Sequence, residues 1–291
     1  MNISIHGKNL NKEKCLILEK IIDNIKLQNI NVQISRELYE NFLKKNLRQK
    51  KISFYSSQKE LKSCDYIFSY GGDGTLLDTI THIGDLPIPI LGINIGKLGF
   101  LSTISIDEIN NTIEILKKNK LKIEKRSLVS VSMKPNIYLP HNYALNEFSI
   151  IKKDSSSMLT IYCFANDVLL NTYWSDGLII STPTGSTGYS LSCGGPIVSP
   201  NTKGFIITPI SPHNLSVRPL IVSENTIIKL KIESQGYNFL TSLDSRSYTC
   251  KNGSEIKVVN SNFKILLAKT EDYSFFNTLR NKLNWGYDLR N

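Results

Sequence analysis

The sequence predicts an α/β domain with a parallel sheet, then an all-β-rich domain, and a C-terminal segment that docks back on the body. Three observations carry this expectation. Over residues 1–125, short apolar runs alternate with segments whose apolar residues recur at helical spacing, the pattern of strands and crossover helices. Over residues 126–270, short stretches of two-residue alternation are separated by turn residues, as in half-buried antiparallel strands. Residues 271–291 are aromatic and helix-compatible, with Tyr273, Phe275, Phe276, Leu279, Leu283 and Trp285, and are expected to pack as a tail on the α/β domain.

In order along the chain, Ile3 and Ile5 open a strand that ends at a Gly7-Lys8 turn. Leu18, Ile21, Ile22 and Ile25 then mark one face of a helix. Val32 and Ile34 read as a second strand, and Leu38, Phe42 and Leu43 as a second helix. Asp65-Tyr-Ile-Phe-Ser-Tyr70 is a strand that runs into a glycine cluster, and residues 88–95 form another. Ser105 and Glu108 make a capping-box pattern ahead of Ile109, Ile113 and Leu116. In the second domain Val129, Val131 and Met133 alternate with serines, Leu159, Ile161 and Cys163 lead to an Asn166-Asp167 turn, and Ile228, Leu230 and Ile232 alternate again. Asn252-Gly253 predicts a hairpin.

A chain of 291 residues with 41% hydrophobic and 21% charged residues has the profile of a soluble folded protein. Its formal net charge of +10 invites a polyanionic ligand, though lysines scattered over the surface of an Ile-, Asn- and Lys-rich chain account for it more simply. The basic runs, such as Lys44-Lys45 and Lys117-Lys118, are short, and no nucleic-acid-binding module is present. The five cysteines, Cys15, Cys64, Cys163, Cys193 and Cys250, are odd in number and widely spaced, with no Cys-x-x-Cys. That pattern argues against a disulfide framework and a cysteine zinc site. No apolar run reaches membrane-spanning length and no signal-peptide core is seen, so a cytoplasmic protein without membrane or nucleic-acid partners is expected.

The densest chemistry begins at Gly71-Gly72-Asp73-Gly74-Thr75, between a predicted strand and a helix containing Leu76, Leu77 and Ile80. Glycines let backbone N–H groups approach a ligand, and a helix N-terminus favours negative charge, so the loop suits phosphate. A carboxylate beside phosphate is repelled unless it has a role. It can bind a divalent cation, accept a proton from an attacking hydroxyl, or simply cap the helix. A second cluster runs from Asp176-Gly177 through Thr182-Pro183-Thr184-Gly185-Ser186-Thr187-Gly188-Tyr189-Ser190 to Gly194-Gly195-Pro196. Its hydroxyls and amides can hold sugars and phosphates, and the Gly71–Thr75 and Thr184–Ser192 loops are expected to be mobile until a ligand orders them. Asn146-Glu147, at a predicted strand end, can fork ribose hydroxyls or be ordinary strand-end polar residues. Neither Gly-x-x-x-x-Gly-Lys-Ser/Thr nor Gly-x-Gly-x-x-Gly occurs.

Taken in order, these segments resemble the NAD kinase family, whose pattern places Gly-Gly-Asp-Gly-Thr/Asn first, then Asn-Glu, then Asp-Gly with Thr-Pro-Thr-Gly-Ser-Thr-Ala-Tyr. Further likenesses are Gly92-Ile-Asn94-Ile-Gly96-Lys-Leu-Gly99-Phe100-Leu, Pro212-His213-x-Leu-Ser-x-Arg218-Pro219, and Tyr273-x-x-Phe276-Asn277-Thr-Leu-Arg-x-Lys-Leu-x-Trp285. The resemblance spans about residues 65–287. Lipid and sugar kinases share a Gly-Gly-Asp-Gly loop but lack the 182–189 loop and Asn-Glu. A dinucleotide sensor without catalysis would have no need of Asp73.

The resemblance implies transfer of the γ-phosphate of ATP to the 2′-hydroxyl of the adenosine ribose of NAD, giving NADP and ADP. It implies a divalent cation such as Mg2+ on the ATP phosphates, with no metal ligand assigned to the protein, and a homo-oligomer, dimer or tetramer. Asp73 is then the expected general base and, with Gly74, a contact to NAD. Gly71, Gly72, Gly74 and Thr75 are expected on the phosphates, and Asn146 and Glu147 on the nicotinamide-side ribose and amide. Asp176 is expected at the adenine or its ribose, within one subunit or across a subunit interface. Thr187, Gly188, Tyr189, Ser190, Leu191 and Ser192 would line the dinucleotide, with Trp174 and Arg246 as further contacts. Arg246 stands where enterobacterial-type members usually have Gln. Gly188 replaces the usual Ala, which is expected to loosen the loop without removing contacts. Trp174 stands where some members carry a basic residue and Ser157 where relatives carry a basic or imidazole side chain, which bears on NAD affinity more than on the chemistry.

Overall fold

The computed structural model describes residues 1–44, 52–96, 98–134, 137–138, 140–153, 158–234 and 238–286; Lys45, Lys97 and Ser157 lie outside them. The chain forms two compact units, Met1–Lys125 together with Ile265–Asn291, and Arg126–Lys264.

In the first unit, β1 (Asn2–Gly7), α1 (Lys12–Leu27), β2 (Asn31–Ser35), α2 (Arg36–Lys44) and β3 (Ser53–Tyr55) come first. β4 (Tyr66–Tyr70), α3 (Asp73–Ile83), β5 (Ile90–Asn94), β6 (Ile104–Ser105), α4 (Ile109–Lys117) and β7 (Lys122–Arg126) follow. The helical apolar spacing does what it predicts: Leu18, Ile21, Ile22 and Ile25 of α1 are buried together with Ile3, Ile5, Val32 and Ile34 of β1 and β2 in one core. Asn11 caps α1 by accepting the Lys14 N–H at 2.9 Å. Ser105 and Glu108 do pair, but with Glu108 accepting from both the Ser105 amide (2.9 Å) and hydroxyl (2.7 Å); Glu108 is itself the residue before α4.

The sheet order is β3-β2-β1-β4-β5, and β1–β2, β2–β3, β1–β4 and β4–β5 are all parallel. The order reverses between β1 and β4. In an open parallel sheet this switch point leaves a crevice at the carboxyl ends of the strands, where ligands bind. β4 ends there at Tyr70, directly before Gly71, and its partner across the switch is Gly7.

The second unit contains β8 (Val129–Met133), β9 (Tyr143–Ala144), β10 (Glu147–Lys152), β11 (Leu159–Ala165), β12 (Val168–Ser175) and β13 (Gly177–Ser181). After the short helix α5 (Tyr189–Ser192) come β14 (Gly204–Ile210), β15 (Leu220–Ser223), β16 (Ile228–Ser234), β17 (Asn238–Leu243), β18 (Arg246–Lys251) and β19 (Glu255–Asn260). They form two six-stranded sheets, β15-β14-β13-β10-β17-β18 and β12-β11-β16-β19-β8-β9. One apolar core joins residues of both, among them Phe148, Ile150, Leu178 and Ile180 with Val131, Ile161, Leu230 and Ile256. The Asn166-Asp167 turn closes the β11–β12 hairpin with both residues at positive φ, +49° and +67°.

Two expectations are corrected. Asn252-Gly253 turns the chain, with Gly253 at φ +77°, but the flanking strands lie in different sheets, so this is a crossover and not a hairpin. The second unit ends at Lys264, not at 270, because β20 (Ile265–Lys269) adds to the first unit's sheet. It runs parallel to β5, with Leu267 opposite Ile90 and Ala268 opposite Leu91. Helix α6 (Phe275–Leu283), capped by Ser274 on the Asn277 N–H, belongs to that same unit.

Candidate functional site

Within the first unit, the 71–75 loop leaves β4 and turns into α3, which begins at Asp73. The Gly71 amide still donates to Ile93 of β5 (2.9 Å), and Leu76 N–H closes the first helical turn on Gly72 (3.2 Å). A methyl group added at Gly72 or Gly74 would meet nothing within 4 Å. These two backbones therefore face open space at a helix N-terminus, where an anion can approach closely.

Asp73 faces inward as well. Its Oδ2 accepts the Phe100 N–H (2.8 Å), and its Oδ1 accepts the N–H groups of Leu101 (3.1 Å) and Ser102 (2.9 Å). The carboxylate thus clamps three successive amides at the end of the glycine-containing 92–101 segment, a link that the sequence does not reveal. Gly99 is required by this approach, since a Cβ there would stand 1.9 Å from Asp73 Oδ1. The side chain remains 28% exposed, and Lys282 of α6 places its ammonium 4.0 Å from Oδ2 and 5.2 Å from the centre of the Phe100 ring. Lys282 lies in the C-terminal motif, where the sequence suggests only a packed tail.

Within the second unit, Asn146-Glu147 sits between β9 and β10, and its backbone is held from below by Asp244. Asp244 Oδ2 accepts the Leu145 N–H (2.9 Å), and Oδ1 accepts those of Asn146 (2.8 Å) and Glu147 (3.2 Å). Asp244 lies at the β17–β18 turn with φ +52°. This is the same three-amide clamp that Asp73 makes. Nothing in the local sequence points to it, because its partners are about a hundred residues away in the chain. Gly185 packs so tightly over this turn that a Cβ would meet the Asn146 carbonyl oxygen at 2.1 Å.

The Glu147 carboxyl is largely enclosed, and Oε2 has no hydrogen-bond partner. Burial, reinforced by the charge of Asp244 and opposed by the Tyr189 N–H, pushes its pKa up to about 8. A methyl at 188 would stand 3.2 Å from that Oε2 and 3.2 Å from the Gly185 carbonyl. Gly188 therefore leaves room beside Glu147. The loop is closed there by Gly188 N–H to Gly185 (2.8 Å) and Leu191 N–H to Gly188 (3.2 Å).

The hydroxyl-rich segment is also more committed than its composition suggests. Thr182 Oγ1 donates to Leu145 O, Ser186 Oγ to Pro183 O (2.7 Å), and Ser190 Oγ bonds Thr208 Oγ1 (2.8 Å), all buried. Thr187 Oγ1 reaches Thr184 O at 3.3 Å. These hydroxyls build the turn Thr184–Thr187 and α5, and what is left toward a ligand is backbone, the partly exposed Thr187 and Leu191, and the exposed Tyr189 and Ser192. The segment is tied by these hydrogen bonds to Leu145, to β14 and to its own turn.

Other predicted site residues have partners of their own. Asp176 pairs with Lys152 (2.7 Å) at the β12–β13 junction. Trp174, 51% exposed, lies 4.3 Å from His213 between ring centres. Arg246 donates to the carbonyls of His141 (2.6 Å) and Tyr143, bracing the chain just before Asn146. None of the cysteines forms a disulfide, and Cys15, Cys64, Cys163 and Cys250 are buried. Among the described residues, no helix is long and apolar enough to cross a membrane.

A parallel sheet presenting a glycine-rich loop at its switch point, in one chain with an antiparallel β unit, is an architecture shared with solved dinucleotide kinases. Yeast NADH kinase, solved in complex with NADH, superposes with a TM-score of 0.88 at 25% identity, covering 100% of this chain and 89% of that one. An NAD kinase from Archaeoglobus fulgidus in complex with ATP gives 0.76 at 26% identity, over 98% and 99% of the two chains. The family models for the ATP-NAD kinase N-terminal and C-terminal domains match residues 7–120 and 145–270. The NAD kinases of Cytophaga hutchinsonii and Christiangramia forsetii are 41% and 42% identical, each with the whole of both chains covered. The chain belongs to the ATP-NAD kinase family.

Proposed function

We propose that the protein transfers the γ-phosphate of ATP to the 2′-hydroxyl of the adenosine ribose of NAD. The observation that carries this reading is Asp73, a partly exposed carboxylate at the start of α3, beside open glycine backbone at the sheet's switch point. The ribose oxygen attacks the γ-phosphorus, the bond from that phosphorus to the β–γ bridging oxygen breaks, and ADP leaves. The hydroxyl proton passes to Asp73. A carboxylate offers about four lone-pair sites; three are taken by amides, so the geometry leaves roughly one for the substrate hydroxyl.

The amide clamp fixes that oxygen's direction, and positioning is where most of the rate gain in phosphoryl transfer arises. Gly72, Gly74 and the first turn of α3 receive the phosphates. One carboxylate already engaged by three amides is a poor seat for a resident cation, so the divalent ion, Mg2+ or similar, arrives on the phosphate oxygens of ATP as part of that substrate. Asn146 and Glu147 hold the nicotinamide-side ribose and amide, with the unpartnered Glu147 Oε2 as the group that gains a hydrogen bond on binding. Asp176 and the 187–192 backbone complete the NAD contacts. Purified protein with NAD, ATP and Mg2+, read by an NADP-specific dehydrogenase, tests the reading. NADP should accumulate with turnover, and a folded protein that yields none rules the reading out.

A further inference from the structure

On the first unit, four metal-ligating side chains from three elements meet at the carboxyl end of β1. One ligand atom each from His6 (β1), Glu37 (α2), Asp78 and His82 (α3) lies within 4.8 Å of every other. Asp78 and His82 are one helical turn apart, so α3 presents them on one face. The His6 ring is fully buried, with Nε2 2.9 Å from Asp78 Oδ2 and Nδ1 3.0 Å from Ser35 Oγ. The two imidazoles lie 4.2 Å apart between ring centres. None of these residues belongs to the 71–75 loop or to any proposed substrate contact.

We infer that His6, Asp78 and His82, with Glu37 as fourth ligand, form a zinc site that ties α2 and α3 to β1. Two imidazoles and two carboxylates without thiolate suit Zn2+, whereas Mg2+ prefers oxygen ligands and retained waters. Ligands at about 2.0–2.2 Å from a tetrahedral ion stand roughly 3.5 Å from one another, and small side-chain rotations bring the four atoms to that spacing. His6 Nε2 faces the ion while its Nδ1–H donates to Ser35 Oγ, the outer-shell bond that orients a ligating imidazole. The Lys8 ammonium lies 3.7 Å from both Glu37 and Asp78, beyond hydrogen-bonding distance, and its half-exposed chain can swing out when the ion enters.

The rival reading is a metal-free network in which Lys8 and His6 neutralise the two carboxylates. Calorimetric titration of chelator-stripped full-length protein with ZnCl2 alone separates them. The zinc site predicts one ion bound per chain and a melting temperature raised by about 5 °C at a hundredfold excess over Kd. Asp78→Asn with His82→Gln should abolish that stoichiometric uptake while the stripped variant keeps its circular dichroism. His82→Gln alone changes a partly buried side chain and serves if the double variant does not fold; it should weaken binding at least about tenfold. Co2+ in place of Zn2+ should show d–d absorption without a thiolate charge-transfer band, which excludes uptake at cysteines. Absence of saturable Zn2+ uptake by the wild type, or undiminished uptake by the variants, overturns the site.

Discussion

Asp73→Asn removes more than a proton acceptor. An amide has one oxygen, so it can keep the Leu101 and Ser102 bonds only by turning its NH2 toward the Phe100 N–H, or the reverse. At least one buried amide then loses its acceptor, a loss of roughly 1–3 kcal/mol. We expect the variant to melt several degrees lower, to bind NAD within about threefold of wild type, and to lose about 10²–10⁴-fold in turnover. Assays well below the melting temperature of the variant recover activity lost through unfolding but not activity lost with the base; full recovery on cooling would contradict the base assignment. Glu147 gives a second residue-level prediction. Its folded pKa of about 8 lies above the ordinary glutamate value of 4.5. Between those pH values the folded state binds more protons than the unfolded one, so stability falls as pH rises from about 4.5 toward 8. Asp244, also shifted upward by burial, adds a slope of the same sign. Glu147→Gln should therefore flatten the pH dependence of the melting temperature over that window and melt above wild type at about pH 9. An unchanged slope would show that the carboxyl is not desolvated as described.

At the scale of elements, each unit carries its own aspartate clamp, Asp73 fixing the 100–102 amides of the first and Asp244 the 145–147 amides of the second. Asp244→Ala should strip acceptors from three amides and lower unfolding stability by at least about 2 kcal/mol, measured by denaturant titration. A loss under about 0.5 kcal/mol would mean that the turn before β10 holds itself. The ends of these elements are legible in the sequence and their partners are not. Gly71-Gly72-Asp73-Gly74 announces a strand-to-helix loop because its glycines interrupt two strong apolar patterns. The parallel sheet is legible because Ile67, Phe68 and Ile90 to Ile93 are runs with no polar face. The sequence places β20 in the wrong domain because a five-residue apolar strand carries no mark of the sheet it will join, and its neighbour β5 lies far back in the chain. Asn252-Gly253 signals a turn in any context, and whether the two strands then pair depends on two separate sheets. Asp244, Lys282 and the His6–His82 cluster escape sequence reasoning for the same reason: each acts on residues distant in the chain. The hydroxyl-rich loop misleads differently. Its composition suits ligand binding and equally suits a self-bonded turn, and the fold uses it largely as the second.

For the whole molecule, the two NAD kinases at 41% and 42% identity match end to end, and both family models match in order along one chain. Saturating NAD should raise the melting temperature by mass action, about 2.7 kcal/mol of stabilisation at a hundredfold excess over Kd. A chain that gained no thermal protection from millimolar NAD would lack the proposed dinucleotide site. Phosphate transfer itself can be followed directly. Purified protein is incubated with NAD and ATP labelled at the γ-phosphate, in Mg2+, and the products are separated. We expect label in NADP at the adenosine 2′ position with an equal amount of ADP formed in wild type, and a rate about 10²–10⁴-fold lower in Asp73→Asn assayed well below its melting temperature. Label released only as inorganic phosphate, or equal NADP formation by the two proteins, would contradict this.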